Sequence, residues 1–416
     1  MKTNNRWLII WVSFIANVII GSAYAWSVFA SALIDQFGFT GPQVSLAFTL
    51  SLGLVPIAMI LAGKLHGKIG IRATVLIGGI VFGAGFALAG FTQNIAILYI
   101  TYGILGGIGI GLVYGSTIPN SVKWFPDKRG LAGGIIAGGF GLGAVIFAPL
   151  FSFFIGQMGP LQTFTVFGII LGIVVIIASR FIVSPPADYR PAGWTPPLAE
   201  ASSSGTTADL NLDTRKMLKT PRFYVLWAMY TLACTTGLMI ISQASIIAQV
   251  GVGVTPEVAA VAVLLLALAN TGGRFIWGAV SDRAGRYPTL ILMYGMTCVM
   301  LILLSLAPNF PVLIIALMGI GLCFGGFLGV FPSITAENFG TKNLGMNYGV
   351  MFTAFGVGAF VGPQLAAAIR EATGSYAPAF IATVVMSGAA IVITVLLYLS
   401  RRKILSQQNT GGNNHE

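Results

Sequence analysis

Gly278-Ala279-Val280-Ser281-Asp282-Arg283-Ala284-Gly285-Arg286 closes one long apolar run and opens the next. A related stretch, Gly63-Lys64-Leu65-His66-Gly67-Lys68-Ile69-Gly70-Ile71-Arg72, does the same nearer the N-terminus. Glycines and basic residues recur at matching places in the two loops. Working outward, the apolar runs lie near 7–34, 43–62, 73–92, 95–121, 130–156 and 161–183, then near 223–250, 257–280, 288–307, 311–336, 344–369 and 376–399. The two loops therefore stand six helices apart, as two parallel repeated halves require. A spanning helix needs about 20 apolar residues, so the pattern predicts an all-α membrane protein of twelve transmembrane helices in two pseudo-symmetric six-helix halves.

Composition requires the same solvent. Of 416 residues, 56% are hydrophobic and 8% charged, and the mean hydropathy is +0.89. So few charges could not cover the surface of a soluble domain of this length. The lipid bilayer is the expected partner of most of the chain. The net charge of +11 does not imply nucleic acid, because Lys and Arg fall in short clusters between apolar runs rather than in a stripe. Cys234, Cys298 and Cys323 all lie within apolar runs, with neither disulfide nor metal spacing. Lys2 and Arg6 precede a long apolar run without a small-residue cleavage site, which predicts a first transmembrane helix rather than a cleaved signal peptide.

Orientation follows from the basic residues. With the N-terminus in the cytoplasm and loops alternating, the inner segments hold twenty of the twenty-two, leaving Arg370 outside and Arg274 within the membrane. The positive-inside rule thus predicts both termini in the cytoplasm. Residues 1–183 and 223–400 form the expected N- and C-terminal bundles. Between them, 184–222 carries Pro185-Pro186, Pro196-Pro197 and a Ser-rich stretch, so it reads as a flexible cytoplasmic linker. Residues 401–416 form a cytoplasmic tail, expected to be disordered from Ser406 onward. Thr255-Pro256-Glu257 has the chemistry of a capped helix start.

The two opening loops resemble the signature of the major facilitator superfamily: Gly, three residues, Asp, a basic residue, then Gly and another basic residue. The copy at Gly278, Asp282, Arg283, Gly285 and Arg286 is complete, whereas Gly67 stands where the first copy's acid is usual. The resemblance implies a cytoplasmic latch between the halves made by Asp282, Arg283 and Arg286 with Lys68 and Arg72, weaker in the N-terminal copy. A narrower likeness joins Asn120-Ser121-Val122-Lys123-Trp124-Phe125-Pro126-Asp127-Lys128-Arg129-Gly130-Leu131-Ala132, Met217-Leu218-Lys219-Thr220-Pro221-Arg222-Phe223 and Asn347-Tyr348-Gly349. These resemble the oxalate:formate antiporter family, related to the monocarboxylate transporters. It implies a small carboxylate substrate, protons as a candidate second partner, a monomer of a bacterial inner membrane, and no cofactor.

Arg274 is the residue with the strongest chemical demand. It lies eight residues into helix eight from Asp282, roughly 12 Å at ~1.5 Å per residue, and half the hydrocarbon core is about 15 Å. An arginine at that depth costs at least roughly 2.5–3.5 kcal/mol on insertion scales, and no acid lies at similar depth to offset it. It is either an anchor for a substrate carboxylate, which a guanidinium grips bidentately, or a partner of backbone carbonyls at a broken helix. Asn270, one turn earlier, shares its face, either orienting the guanidinium or bonding substrate, or bonding a neighbouring helix. An Asp stands there in proton-coupled monocarboxylate relatives, so any coupled proton must travel on or near the substrate.

Further candidates rest on the resemblance. Tyr24 and Tyr114 match tyrosines that line the cavity of the oxalate:formate relative, and an apolar ring with a phenolic OH suits a small anion. Gln243 is a weaker candidate. Phe355 stands where the oxalate carrier has a Lys, Phe324 and Phe352 replace tryptophans, Leu328 replaces a tyrosine and Ala23 an amide. One cation opposite an apolar wall implies a monocarboxylate such as lactate, pyruvate or acetate rather than oxalate. An oxalate/formate-type exchanger and a non-transporting carboxylate sensor are the competing expectations. An enzyme is not expected, since His66 and His415 are the two histidines and no catalytic cluster falls in the apolar runs.

Overall fold

The computed structural model describes residues 6–186, 189–191 and 211–411. Lys2, most of the expected linker and residues 412–416 of the tail lie outside the described residues. Among the described residues, ten helices are long and apolar enough to cross a membrane. Two of these, Leu46–Ala89 and Arg129–Ser179, span 44 and 51 residues, and each is broken once by a glycine at positive φ, Gly70 and Gly159 respectively. Twelve membrane-crossing helices result: α1 (6–37), α2 (41–69), α3 (71–89), α4 (95–124), α5 (129–158), α6 (160–179), α7 (Pro221–Val252), α8 (Pro256–Ala284), α9 (Arg286–Ser305), α10 (Phe310–Phe339), α11 (344–373) and α12 (Ala377–Gly411).

The internal repeat is written in the backbone. Gly70 (φ 78°, ψ 168°) and Gly285 (φ 88°, ψ 157°) occupy matching positions of the two signature loops. Both adopt a region open essentially to glycine alone. Local chemistry sets other boundaries. A capping box between Thr40 and Gln43 starts α2, Asn94 caps α4, and Asn309 caps α10 with Pro311 just inside. Thr255 departs from expectation: its backbone is extended as an N-cap should be and Pro256 sits in the first turn, but its hydroxyl makes no capping hydrogen bond. The fixed φ of proline is enough to begin the helix. The tail is a second correction, since α12 runs on through Gly411; its backbone ladder continues past the apolar segment.

Three helices depart from regular α geometry. α1 tightens into a 3₁₀ turn at Gly21–Ala25, α4 carries a π-helical stretch at Tyr99–Gly106, and α11 breaks at Phe352, between Leu344–Met351 and Thr353–Thr373. Such departures from regular helix recur at functional positions.

The halves meet through small residues. A methyl added at Gly130 or Gly134 of α5 would overlap the carbonyl oxygens of Gly278 and Arg274 on α8, and one at Gly138 would overlap the Phe275 ring. On the other flank, Gly63 of α2 packs on the Met346 backbone of α11, and Gly349 of α11 packs against Met59 and Ile60. With no side chain between them, the backbones approach closely enough for dispersion contacts to replace the missing hydrophobic drive in lipid. These contacts cluster between Arg274 and the face carrying the basic loops, so that face is closed.

Candidate functional site

Arg274 is only 2% exposed, and the surroundings of its guanidinium explain how the charge is tolerated. Its Nε donates to Asn270 Oδ1 at 3.2 Å, and one terminal nitrogen donates to the backbone carbonyl of Ala137 on α5. Asn270 therefore orients the guanidinium, and the carbonyl partner also realises part of the plainer expectation for Arg274. The Ala137 contact spans the two halves, and the carbonyl belongs to a regular stretch of α5 rather than to a broken helix. Glycines make room for it. Cβ atoms at Gly325 and Gly329 of α10 would crowd the Asn270 carbonyl, the Arg274 Cγ and the Arg274 backbone. A Cβ at Gly141 would stand 2.9 Å from Thr271 Oγ1 and 3.3 Å from the Arg274 guanidinium carbon.

These backbones form a cradle that only side-chain-free positions permit. Gly134→Ala should therefore force α5 and α8 apart at the level of Arg274. Overpacking of this kind costs about 1–3 kcal/mol, and transport is expected to fall at least tenfold, with a lowered melting temperature in detergent. Unchanged transport and melting would contradict the cradle.

Arg274 lines an internal cavity with Tyr24, Leu52, Val55, Tyr114, Phe140, Leu328, Phe352 and Phe355. The 3₁₀ turn of α1 presents Tyr24 to the cavity that Arg274 lines. Its ring packs edge-on against Phe140, 4.8 Å between centroids. Tyr114 makes tilted ring contacts with Phe140 at 5.0 Å and with Phe352 at 5.7 Å. Phe352 and Phe355 lie parallel, 5.0 Å apart and 9° from coplanar. One cation, two phenols and an aliphatic and aromatic wall therefore share one space. A small anion with an apolar tail matches that lining.

Seven of the nine site residues named from sequence converge here: Arg274, Asn270, Tyr24, Tyr114, Phe355, Phe352 and Leu328. Two do not. Phe324 lines a separate cavity with Thr236, Gly237, Tyr294 and Phe327 inside the C-terminal half, because its ring packs against the bare backbone of Gly237. Gln243 lies toward the far end of α7, where its Oε1 accepts from Tyr376 Oη at 2.8 Å; that hydroxyl also accepts from Arg370 at 3.1 Å. Leu52, Val55, Phe140 and the Ala137 carbonyl complete the site without any sequence signal, since apolar residues and backbone atoms look alike along every span.

The signature residues divide in the same way. The backbone N–H groups of Gly130 and Leu131 donate to Asp282 Oδ1 and Oδ2 at 2.7 and 2.8 Å, joining the N-terminus of α5 to the opposite half. Arg286 pairs with Asp282 at 2.7 Å and with Glu337 at 2.8 Å. Arg283, Lys68 and Arg72 are exposed instead. With Gly67 in place of an acid, the first copy offers them no carboxylate. Across from it, the close approach of Gly63 and Gly345 replaces an ionic latch.

The narrower motifs are likewise structural. Asp127 receives both terminal nitrogens of Arg6 at 2.6 and 3.0 Å, and Trp124 Nε1 donates to the Val183 carbonyl at 2.7 Å. Asn347 accepts from Thr214 and donates to the Leu212 carbonyl, so it holds the helical turn Thr214–Met217.

A twelve-helix bundle in two glycine-packed halves, with the buried Arg274 guanidinium at their junction, is the architecture of a membrane carrier. The model of the Major Facilitator Superfamily matches residues 7–269 and 226–414, and the chain belongs to that superfamily of transporters. It is 31% identical over 396 residues to the oxalate:formate antiporter of Oxalobacter formigenes, covering 94% of this chain and 91% of the relative. It is 31% identical over 355 residues to the uncharacterized MFS-type transporter YhjX of Escherichia coli, 85% of each chain. Monocarboxylate transporter 12 of Xenopus laevis is 25% identical over 350 residues, 80% of this chain and 74% of the relative. Among solved structures, a human organic anion transporter superposes with a TM-score of 0.72 at 12% identity, over 94% of this chain and 100% of the other. The protein is a multi-pass membrane transporter and not an enzyme.

Proposed function

We propose that the protein carries a small monocarboxylate of the lactate or pyruvate kind by alternating access, with Arg274 gripping the carboxylate. The observation that carries this reading is the cavity lining: one guanidinium, oriented by Asn270, faces Phe352, Phe355 and Leu328. The guanidinium holds the charged end of the substrate, and the apolar wall takes its methyl or alkyl end. A dianion would bring a second charge against phenyl rings and leave it unpaired, at a cost that burial makes large. The names of the relatives, an oxalate:formate antiporter and monocarboxylate transporters, support a small carboxylate as the substrate class.

Residues 1–183 and 223–400 act as the two rocking halves, joined by the linker 184–222, and the closed basic-loop face is the cytoplasmic one by the positive-inside rule. The carrier works as a monomer in a bacterial inner membrane with both termini inside. Because Asn270 does not titrate, a coupled proton travels on or beside the substrate rather than on that position.

Uptake of labelled lactate, pyruvate, acetate, formate and oxalate into proteoliposomes, with and without a pH gradient, tests substrate and coupling together. Pyruvate or lactate should compete far better than oxalate, and stimulation by an inwardly directed proton gradient is expected. The opposite ranking would select the oxalate/formate exchanger, and binding without counterflow would identify a sensor. Phe355→Lys is expected to invert the preference, improving inhibition by oxalate at least tenfold while weakening pyruvate. The added ammonium supplies the second cation but repels Arg274 unless a dianion lies between them. Unaltered selectivity in a properly inserted variant would remove Phe355 from the specificity argument.

A further inference from the structure

Phe352 separates the cavity from a pair of tyrosines that the site does not use. It sits at the break in α11 and lines the cavity on one side. On its other contacts are Tyr348, one turn closer to the basic-loop face, at 5.7 Å between centroids, and Tyr230 of α7 at 6.2 Å. Tyr230 stacks face to face on Phe331 at 3.9 Å, so its ring position is set by packing. Both tyrosines are fully buried. Among the described residues, neither hydroxyl has a hydrogen-bond partner.

Two phenol hydroxyls without partners in a bilayer interior leave hydrogen-bonding capacity unmet. Buried hydroxyls normally fill that capacity or are replaced by phenylalanine. Here each ring would pack equally well without its oxygen, since the contacts that hold it are aromatic. Phe352 links them to the anion site, since its ring contacts Tyr114 in the cavity at 5.7 Å as well as both buried tyrosines. Phenolic donors therefore run from the cavity past Phe352 toward the closed face.

We propose that Tyr230 and Tyr348 form a second, transient station for the carboxylate, which the substrate reaches on its way to the basic-loop side when Phe352 swings out of the cavity at the α11 break. A carboxylate leaving Arg274 must exchange a charge-assisted contact for something other than phenyl rings. Two unpartnered O–H donors behind Phe352 supply that contact without a charge that would trap the anion. Phe352, aromatic and at a helix break, is the barrier between the two stations. This rests on the carboxylate reading above.

The test is the double substitution Tyr230→Phe/Tyr348→Phe, assayed for equilibrium binding of labelled pyruvate and for pyruvate counterflow in proteoliposomes. Removing two buried hydroxyls that lack partners while keeping the rings sacrifices no hydrogen bond, so the variant should insert normally. Binding is expected to stay within about twofold, because Arg274 is untouched, while counterflow falls at least tenfold. Normal counterflow would overturn the station and leave the carboxylate reading standing. Loss of binding as well as counterflow would overturn it too, since the tyrosines would then belong to the first site. If the unsubstituted protein binds none of the small carboxylates, the parent reading fails and the station with it.

Discussion

Arg274→Gln is expected to abolish uptake of every small carboxylate the protein carries, while membrane insertion and yield stay normal or improve. The two effects separate because they have different physical origins. The charge is unfavourable for the folded bundle, costing roughly 2.5–3.5 kcal/mol at the centre of a membrane helix, so its removal relieves the apo protein. For the bound anion it is the principal partner. Truncating one side of a buried, hydrogen-bonded charge pair costs about 2–5 kcal/mol, and since each 1.4 kcal/mol is tenfold, affinity should fall about 30-fold or more. Arg274→Lys keeps a charge but loses the planar fork and the Nε contact to Asn270, so it should retain weak binding and little transport. Labelled-acid binding and counterflow on purified, correctly folded variants measure both. Wild-type uptake by Arg274→Gln would remove the anion anchor altogether.

The second large effect is expected at the opposite end of the transport cycle. Asp282→Ala removes a carboxylate that accepts the Gly130 and Leu131 N–H groups from the other half and also pairs with Arg286. Hydrogen bonds to a charged group contribute about 1.5–3 kcal/mol each. The interhalf bonds exist only while the basic-loop face is closed, so their loss acts on the conformational equilibrium rather than on either half alone. A loss of about 3 kcal/mol shifts that equilibrium roughly 100-fold toward opening. Ser121→Cys, buried at the basic-loop end of α4, reports it in a background lacking Cys234, Cys298 and Cys323. Labelling by an impermeant thiol reagent in inside-out vesicles should rise steeply when Asp282→Ala is added, and net uptake should fall. Equal labelling with and without the substitution would mean that glycine packing of α5 on α8 alone holds the face shut.

The contrast between Asp282 and Lys68 illustrates what was legible in the chain. Both belong to recognisable copies of one loop, and the shared backbone of Gly70 and Gly285 shows that the loops are true structural repeats. Which copy grips the opposite half depended on one absent acid and on what lies across the gap, and only the second requires coordinates. The same holds for Phe324. It was grouped with Phe352 and Phe355 by comparison of positions, yet the missing side chain of Gly237 draws its ring into another cavity. Gln243 is visible as a polar residue in an apolar run, but its partner Tyr376 comes from the turn between α11 and α12.

Hydropathy, basic loops and the doubled loop motif determined the number of spans, their pairing into two halves and the presence of one charge at membrane depth. Lipid cannot satisfy backbone or charge, so these constraints act locally on each segment and leave a pattern in one dimension. The tertiary structure decided what surrounds that charge: the Ala137 carbonyl, the glycine cradle, the breaks that present Tyr24 and Phe352, and the tyrosine pair behind them. Those features depend on which backbones approach across helices far apart in sequence. Glycine and phenylalanine, abundant in every span, carry no mark of where they will meet.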